Sequence, residues 1–160
     1  MKIYLDMDGV LADFEKGVKD VCRFLPTSKN EKIMWELLSM EDHFYYSLSF
    51  MPGAKEAFRI LYKKYGNSLE ILSAIPKPNK NIKNTEVDKR NWIRDKLSPE
   101  VKVNIVYRED KINFCSPDSI LIDDREDTVN SWIQNGGIGI VHIDWEQTLN
   151  LLKNNWKEGD

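Results

Sequence analysis

Residues 3–9 have the sequence Ile-Tyr-Leu-Asp-Met-Asp-Gly, in which a short apolar run leads directly into two aspartates and a glycine. An apolar run that ends in turn residues predicts a buried strand followed by a tight turn. Four further apolar runs lie within Leu69–Leu72, Val101–Tyr107, Ile120–Ile122 and Ile138–Ile143. Stretches with apolar residues at helical spacing separate these runs. The alternation predicts an α/β fold in which a parallel sheet carries helices on both faces.

Some helix boundaries are marked by particular residues. Pro52 and Gly53 precede a helix with a continuous apolar face, and Gly66 ends it. Thr85, followed three residues later by Asp88, predicts a capping box at the start of another helix. A last helix is predicted from Trp145 to Trp156.

The composition is that of a soluble globular domain. The chain has 160 residues with 23 basic and 26 acidic side chains, and its net charge is −3. This length predicts one domain with a small insert. The slightly acidic balance argues against a DNA or RNA polymer as partner, since such partners require a strongly positive surface. No apolar run approaches the roughly 20 residues of a membrane span. With no targeting segment and no paired cysteine spacing, we expect a cytoplasmic protein.

Acidic and hydroxyl side chains occur at the ends of three predicted strands. Asp6 and Asp8 follow the first strand, Ser73 the second, and the pair Asp123 and Asp124 the fourth. Ligands of parallel sheets bind outside the carboxyl ends of the strands, so these side chains are expected to meet. Four carboxylates cannot share a site in ionised form without a cation, and Mg²⁺ is the ion that oxygen ligands favour. Mg²⁺ uses one or two carboxylates, which leaves an aspartate for nucleophilic or acid–base work. Helix capping is the alternative role for each aspartate taken singly.

The strings at these positions resemble a known family. Asp6–Val10 (DMDGV) is similar to the first motif of the haloacid dehalogenase (HAD) superfamily of phosphatases. Asp6–Glu15 (DMDGVLADFE), Pro52–Ala54 (PGA) and Leu121–Arg125 (LIDDR) together resemble its 5'(3')-deoxyribonucleotidase branch. The resemblance implies a HAD-like Rossmannoid sheet with a small helical cap inserted after the first strand. Residues 1–13 and 51–160 would then form the core domain and residues 14–50 the cap; we call residues 14–50 the insert.

The resemblance also implies roles for single residues. Asp6 would be the nucleophile that forms an aspartyl phosphate, and Asp8 the general acid and base, with its backbone carbonyl also reaching the metal. Ser73, Lys111 and Lys89 would bind the phosphate. The implied Mg²⁺ ligands are Asp6, Asp8, Asp123 and Asp124.

Aromatic residues are concentrated in the insert, which holds seven of the seventeen in the chain. Such rings can stack on a nucleobase or can hold a small cap together. By resemblance, Phe14 would line a base pocket, whereas the isolated His43 favours a structural role. Ala74 stands where the branch has a second hydroxyl, so the base and the sugar remain open.

These patterns predict an Mg²⁺-dependent phosphomonoesterase that acts on a small phosphorylated metabolite. The favoured class is a 5'-nucleotidase-like hydrolase of nucleoside monophosphates. One alternative is a phosphatase of another small metabolite, such as a sugar phosphate. Another is a non-catalytic module that binds phosphate or metal, although the intact pair of Asp6 and Asp8 argues against it.

Overall fold

The computed structural model describes residues 1–155, so the predicted helical end at Trp156 lies outside the described residues. The strands and α-helices follow one another in the order β1 (Lys2–Leu5), α1 (Phe14–Cys22), α2 (Glu31–Leu38), α3 (Ala54–Tyr65), β2 (Leu69–Ala74), α4 (Thr85–Trp92), β3 (Lys102–Val106), β4 (Ser119–Asp123), α5 (Glu126–Gln134), β5 (Ile138–Val141) and α6 (Trp145–Asn155). 3₁₀ segments lie at Gly66–Ser68, Pro78–Lys80 and Arg108–Phe114, and a π-helix covers Ile93–Leu97. Within residues 1–155, no helix combines the length and apolar content needed to cross a bilayer.

The five strands form one parallel sheet in the order β3-β2-β1-β4-β5. β1 is central, and it pairs with β2 on one side and with β4 on the other. The chain therefore turns to opposite sides of β1 when it forms the two halves of the sheet. This reversal opens a crevice at the carboxyl end of β1, where ligands of such sheets bind.

Both faces of the sheet are covered, as the alternation of strands and helices predicts. On one face, Ile3, Leu5, Ile71 and Ile122 pack with buried residues of α3, α4, α6 and the insert. On the other face, a smaller cluster joins Tyr4, Leu72 and Leu121 to Trp132 of α5. The predicted α/β class with a parallel sheet and helices on both faces is confirmed.

The insert begins where Asp13 caps α1 by accepting a hydrogen bond from the backbone N–H of Lys16 at 3.1 Å. Its buried residues, including Phe44, Tyr45 and Leu48, belong to the same apolar cluster as the central strands. The insert therefore packs directly on the face of the sheet that carries α4. The division of the chain into a core domain and a cap domain stays a prediction.

Two local predictions are wrong. β5 ends at Val141, two residues earlier than predicted; the next residue, His142, still donates its backbone N–H to Asp123 O at 2.9 Å. The helix at Thr85 has no capping box, because its N-cap is Asn84 in the left-handed region and makes no side-chain cap bond. The Asp88 carboxylate contacts His43 at 3.1 Å, so a tertiary contact has replaced the local one.

Candidate active site

The predicted residues meet at the carboxyl end of the sheet. Asp6 directly follows β1, Ser73 lies near the end of β2, and Asp123 is the last residue of β4. The register of the parallel strands aligns these positions, and Asp6 N donates to Ile122 O at 3.0 Å. A cavity of about 700 Å³ opens above them. Its lining includes Asp6, Asp8, Phe14, Lys111 and Asp124, five of the eight predicted site residues.

Three carboxylates lie together beneath the cavity. One oxygen from each of Asp6, Asp123 and Asp124 lies within 4.8 Å of the other two. We call these residues the Asp6 cluster. Lys111 is buried among them, and its Nζ is 3.0 Å from Asp6 Oδ1 and 2.8 Å from Asp123 Oδ2. The cluster therefore has three carboxylates and one ammonium group, which contacts two of them.

This excess of acid shifts the protonation equilibria. Burial and the neighbouring charge of Asp123 raise the pKa of the Asp6 carboxyl to about 8. The same two causes raise the pKa of Asp124 to about 6. Burial acts against the charge on Lys111, but Asp6 and Asp123 outweigh it, so the pKa of Lys111 is raised. The cluster thus holds more negative charge than its own lysine can neutralise.

Gly9 gives Asp124 room to join this cluster. A Cβ atom at Gly9 would lie 2.1 Å from Asp124 Oδ2 and 2.6 Å from Asp124 Cγ. The backbone of Gly9 also has a φ of +80°, in the left-handed region that L-residues with side chains rarely adopt. The glycine in the DMDG string is therefore required both by the turn and by the nearby carboxylate.

Asp8 belongs to a second group of polar side chains, on the β2 side of the cavity. Lys89 is fully buried, and its Nζ donates to Asp8 Oδ2 at 2.8 Å, Ser73 Oγ at 2.9 Å and Ala74 O at 2.6 Å. Asp8 Oδ1 is buried and has no hydrogen-bond partner within residues 1–155. The structure therefore places Lys89 and Ser73 together with Asp8, while the Asp8 carboxylate lies outside the Asp6 cluster.

Aromatic rings form part of the cavity wall. Phe14, Trp35 and Tyr45 all contribute to the wall. The Phe14 ring lies 6.2 Å from that of Trp35, 5.7 Å from Phe44 and 6.2 Å from Tyr45, centre to centre. Phe14 thus contacts other rings of the insert and also lines the cavity. It can therefore both hold the insert together and stack on a nucleobase.

Sequence reasoning missed two residues of the wall. Arg108 lines the cavity, and no carboxylate in the described part of the chain lies within salt-bridge distance of it. Tyr45 is buried, and its ring centre lies 4.6 Å from Lys89 Nζ. The charged run from Arg108 to Lys111 gave no sign of which members would face inward. Tyr45 was one of several aromatics in the insert, and only packing distinguishes it.

The donor set of the Asp6 cluster suits a hard divalent cation. All three side chains offer carboxylate oxygens close together, and within residues 1–155 no other group of three or more metal-ligating side chains occurs. Oxygen-only ligands favour Mg²⁺ over the softer metals. Burial and the charge of Asp123 raise the pKa of Asp6, as expected for crowded carboxylates that a nearby cation would stabilise in their ionised form.

Two 5'(3')-deoxyribonucleotidases are among the known proteins that are similar in sequence to this chain. The chain is 29% identical over 175 aligned positions to mouse mitochondrial 5'(3')-deoxyribonucleotidase, covering 93% of this chain and 72% of the mouse protein. The human mitochondrial 5'(3')-deoxyribonucleotidase is also 29% identical, over 153 positions that cover 79% of this chain and 63% of the human protein. The chain therefore spans just under two thirds of the length of that human relative. No family model matches the chain.

Solved structures show the same fold at low sequence identity. A HAD family enzyme from Bacteroides thetaiotaomicron, in complex with magnesium and inorganic phosphate, has a TM-score of 0.52 at 15% identity, covering 92% of this chain and 98% of the other. The L-2-haloacid dehalogenase from Xanthobacter autotrophicus has a TM-score of 0.51 at 10% identity, covering 96% of this chain and 82% of the other. The resemblance to the HAD family is confirmed. These solved structures show that the chain has a HAD-like fold.

Proposed function

We propose that this HAD-like protein is an Mg²⁺-dependent phosphomonoesterase that works through an aspartyl phosphate on Asp6. The observation that carries the proposal is the pairing of two aspartates two residues apart with two different buried lysines. Lys111 holds Asp6 in the carboxylate cluster, whereas Lys89 holds Asp8 beside Ser73. Two carboxylates in different surroundings can take two different roles.

Asp6 is the nucleophile in the first step. Its carboxylate oxygen attacks phosphorus, the bond between phosphorus and the ester oxygen breaks, and an aspartyl phosphate forms. Asp8 donates a proton to the leaving oxygen, which departs as an alcohol. Asp8 Oδ1 has no hydrogen-bond partner within residues 1–155, so this oxygen is the one left to carry that proton.

The second step restores Asp6. Asp8, now ionised, accepts a proton from a water molecule whose oxygen attacks phosphorus, and the bond to Asp6 breaks. Inorganic phosphate leaves, and both aspartates return to their initial states. Lys111 stabilises the negative charge that passes between the phosphoryl group and Asp6, and Lys89 and Ser73 bind the phosphoryl oxygens from the other side.

Asp6, Asp123 and Asp124, together with the backbone carbonyl of Asp8, would hold the Mg²⁺ ion. When bound, the ion neutralises the charge of the phosphoryl oxygens and of the carboxylates. Arg108, which lines the same cavity, adds a further positive charge for the phosphate. Lys111 offers one ammonium to three acids, so the residues alone leave the cluster negative.

We propose a nucleoside monophosphate as the substrate and the insert as a cap over it. The mouse and human relatives are 5'(3')-deoxyribonucleotidases, which motivates this choice. Phe14, Trp35 and Tyr45 form an apolar wall on which a flat base can stack. Arg108 and Lys111 lie on the same cavity for the phosphate.

A screen of phosphorylated metabolites in the presence of Mg²⁺ tests this function. We expect release of inorganic phosphate from nucleoside monophosphates with the highest kcat/KM of the panel. Preference for sugar phosphates would support the alternative metabolite phosphatase. No turnover of any phosphomonoester, with phosphate still bound, would support the non-catalytic module and contradict the proposal.

Phe14→Ala tests the base pocket separately from the chemistry. Base stacking on an aromatic ring contributes about 1–3 kcal/mol, so KM for nucleoside monophosphates should rise roughly 5- to 150-fold. The smaller substrate p-nitrophenyl phosphate should be affected much less. Phe24→Ala is the matched control, since Phe24 is a half-buried aromatic of the insert that does not line the cavity. Equal damage to both substrates by Phe14→Ala would mean that Phe14 serves packing alone.

A further inference from the structure

Lys89 lies on α4, a short helix that has no side-chain hydrogen bond at its N-cap. α4 has eight residues, starts after Asn84 without a side-chain cap bond, and continues as a π-helix over Ile93–Leu97. An isolated helix of this length is not stable in water, so tertiary contacts must set its orientation. These contacts therefore decide where the Lys89 ammonium lies.

Most of the polar contacts come from one segment, residues 42–50 at the end of the insert. They run along the whole length of α4 and the π-helix, pairing Asn84 Nδ2 with Asp42 O (2.9 Å), Asp88 with His43 (3.1 Å), Trp92 Nε1 with Leu48 O (2.8 Å), Asp95 with the Tyr46 hydroxyl (3.0 Å) and Lys96 Nζ with Tyr46 O. The ring of Tyr45, from the same segment, lies beside Lys89. Residues 42–50 of the insert thus contact α4, the helix that carries Lys89, along its whole length.

The pair of His43 and Asp88 is the contact nearest to Lys89. Asp88 is 3% exposed, and both of its carboxylate oxygens lie near His43 Nδ1, at 3.1 and 3.2 Å. No other side chain within residues 1–155 bonds to this carboxylate. A buried carboxylate without a partner is costly, so the pair favours the orientation in which Asp88 faces His43.

Asp88 and Lys89 are consecutive on the helix, so one constrains the other. Neighbouring helical residues point about 100° apart, because an α-helix has 3.6 residues per turn. With Asp88 directed at His43, the next side chain is directed at Asp8 and Ser73. Rotation of α4 about its axis would separate both pairs together.

We propose that His43 is a positioning residue: through Asp88 it orients α4 so that Lys89 meets Asp8 and Ser73. The inference rests on the proposed phosphate-binding role of Lys89, and it assigns His43 and Asp88 a part in that role without contact to the substrate. A residue of the insert thereby sets the position of a group in the phosphate site, although it contacts a different face of α4.

A double-mutant cycle between His43 and Lys89 tests this, with p-nitrophenyl phosphate and Mg²⁺. We expect His43→Ala to lower kcat/KM by about 3- to 100-fold, the upper value corresponding to a displacement of about 1 Å at the site. In a Lys89→Met background, His43→Ala should change kcat/KM by less than about 2-fold, because the group it positions is gone. His43→Asn, whose amide nitrogen lies near the place of His Nδ1 and can donate to Asp88, should restore part of the loss.

Tyr46→Phe is the matched control, because it removes another contact between the same segment and the π-helix, to Asp95. It should leave kcat/KM within about 2-fold of the wild type. Thermal denaturation reports whether each variant folds. If His43→Ala is unfolded, Asp88→Asn, which keeps the buried volume, takes its place in the double-mutant cycle with Lys89→Met. An equal effect of His43→Ala with and without Lys89 would overturn the proposal.

Binding of inorganic phosphate separates this proposal from the proposed function. If the wild type does not hydrolyse any phosphomonoester, the function fails, and the cycle is repeated on the binding of inorganic phosphate with Mg²⁺ by calorimetry. If His43→Ala weakens phosphate binding in the wild type but has no effect on it in the Lys89→Met background, the result still supports positioning. Unchanged phosphate binding in His43→Ala contradicts it, whatever the activity of the wild type.

Discussion

Two clusters of buried acid lie on the same sheet, and they differ in the ratio of carboxylate to cation. Toward the amino ends of the strands, Glu70 is 4% exposed and is surrounded by Lys2, Lys102 and the Asn104 amide. Burial acts to raise the pKa of Glu70, but hydrogen bonds from Lys2 and Asn104 outweigh it, and the pKa lies below its usual value. One acid here has two lysines.

At the carboxyl ends of the strands the ratio is reversed. Asp6 and Asp123 share the ammonium of Lys111, Asp124 adds a third carboxylate, and the pKa of Asp6 rises to about 8 through burial and the charge of Asp123. Burial alone therefore does not distinguish a functional carboxylate from a structural one. The distinction is that lysines of the fold pair with Glu70, whereas the Asp6 cluster has three carboxylates and one lysine, and we propose that a cation from outside completes it.

The largest effect that separates the two clusters is expected from loss of the nucleophile. Asp6→Asn keeps the shape of the side chain but removes the attacking charge, so kcat should fall by at least about 10⁴-fold. Mass spectrometry of the trapped enzyme should detect no phosphate on the variant. Glu70→Gln, the same change in the other cluster, is the control. Turnover by Asp6→Asn near the wild-type rate would contradict the mechanism.

Removal of metal should affect the Asp6 cluster alone. A chelator should lower phosphatase activity by at least about 100-fold, because the cation supplies several kcal/mol of charge stabilisation. Added Mg²⁺ should restore the activity, and Zn²⁺ should restore it poorly, since all the ligands are oxygen. Full activity of the metal-stripped enzyme would show that Lys111 and Arg108 suffice for the phosphate.

The pH dependence of stability should run in opposite directions for the two clusters. The pKa values of Asp6 and Asp124 are raised from 3.8 to about 8 and about 6. Their stabilising contribution is therefore complete below 3.8 and is lost as the pH rises through these values. The pKa of Glu70 is lowered, so its contribution is present above its usual 4.5 and is lost as the pH falls.

Mg²⁺ binds the ionised carboxylates, so the stabilisation that it gives should grow with pH. At 100 times its dissociation constant a ligand contributes about 2.7 kcal/mol, or about 5–10 °C in Tm for a chain of this size. We expect this shift near pH 8.5 and a clearly smaller shift near pH 5.5, measured by calorimetry. A shift independent of pH would mean that Asp6 and Asp124 are already ionised without metal.

The smallest effect on activity is expected at Glu70. Glu70→Gln should reduce the free energy of unfolding by about 1–3 kcal/mol, because hydrogen bonds to a buried charged group are weakened. Its kcat and its response to Mg²⁺ should match those of the wild type within about 2-fold. Urea denaturation and steady-state kinetics measure the two quantities. A strong loss of kcat with unchanged stability would show that the clusters are coupled through the sheet.

Much of the fold and part of the site could be predicted from local patterns. Strand ends followed by polar residues were sufficient to place Asp6, Ser73 and Asp123 at one edge of the sheet. The lysines required the family resemblance, because Lys89 and Asp8 are 81 residues apart and no local pattern joins them. The capping box at Thr85 was wrong because Asp88 has a partner 45 residues away, in His43.

The sequence by itself determined the order of strands and helices and the positions of acid at the strand ends. These depend on residues close along the chain, through the period of apolar side chains and the conformations that Gly and Pro allow. Only the tertiary structure decided which lysine neutralises which acid. Lys102 and Lys111 are nine residues apart, yet the first pairs with Glu70 and the second with Asp6 and Asp123. Burial and the distances between charges set that pairing, and both arise only when distant segments pack together.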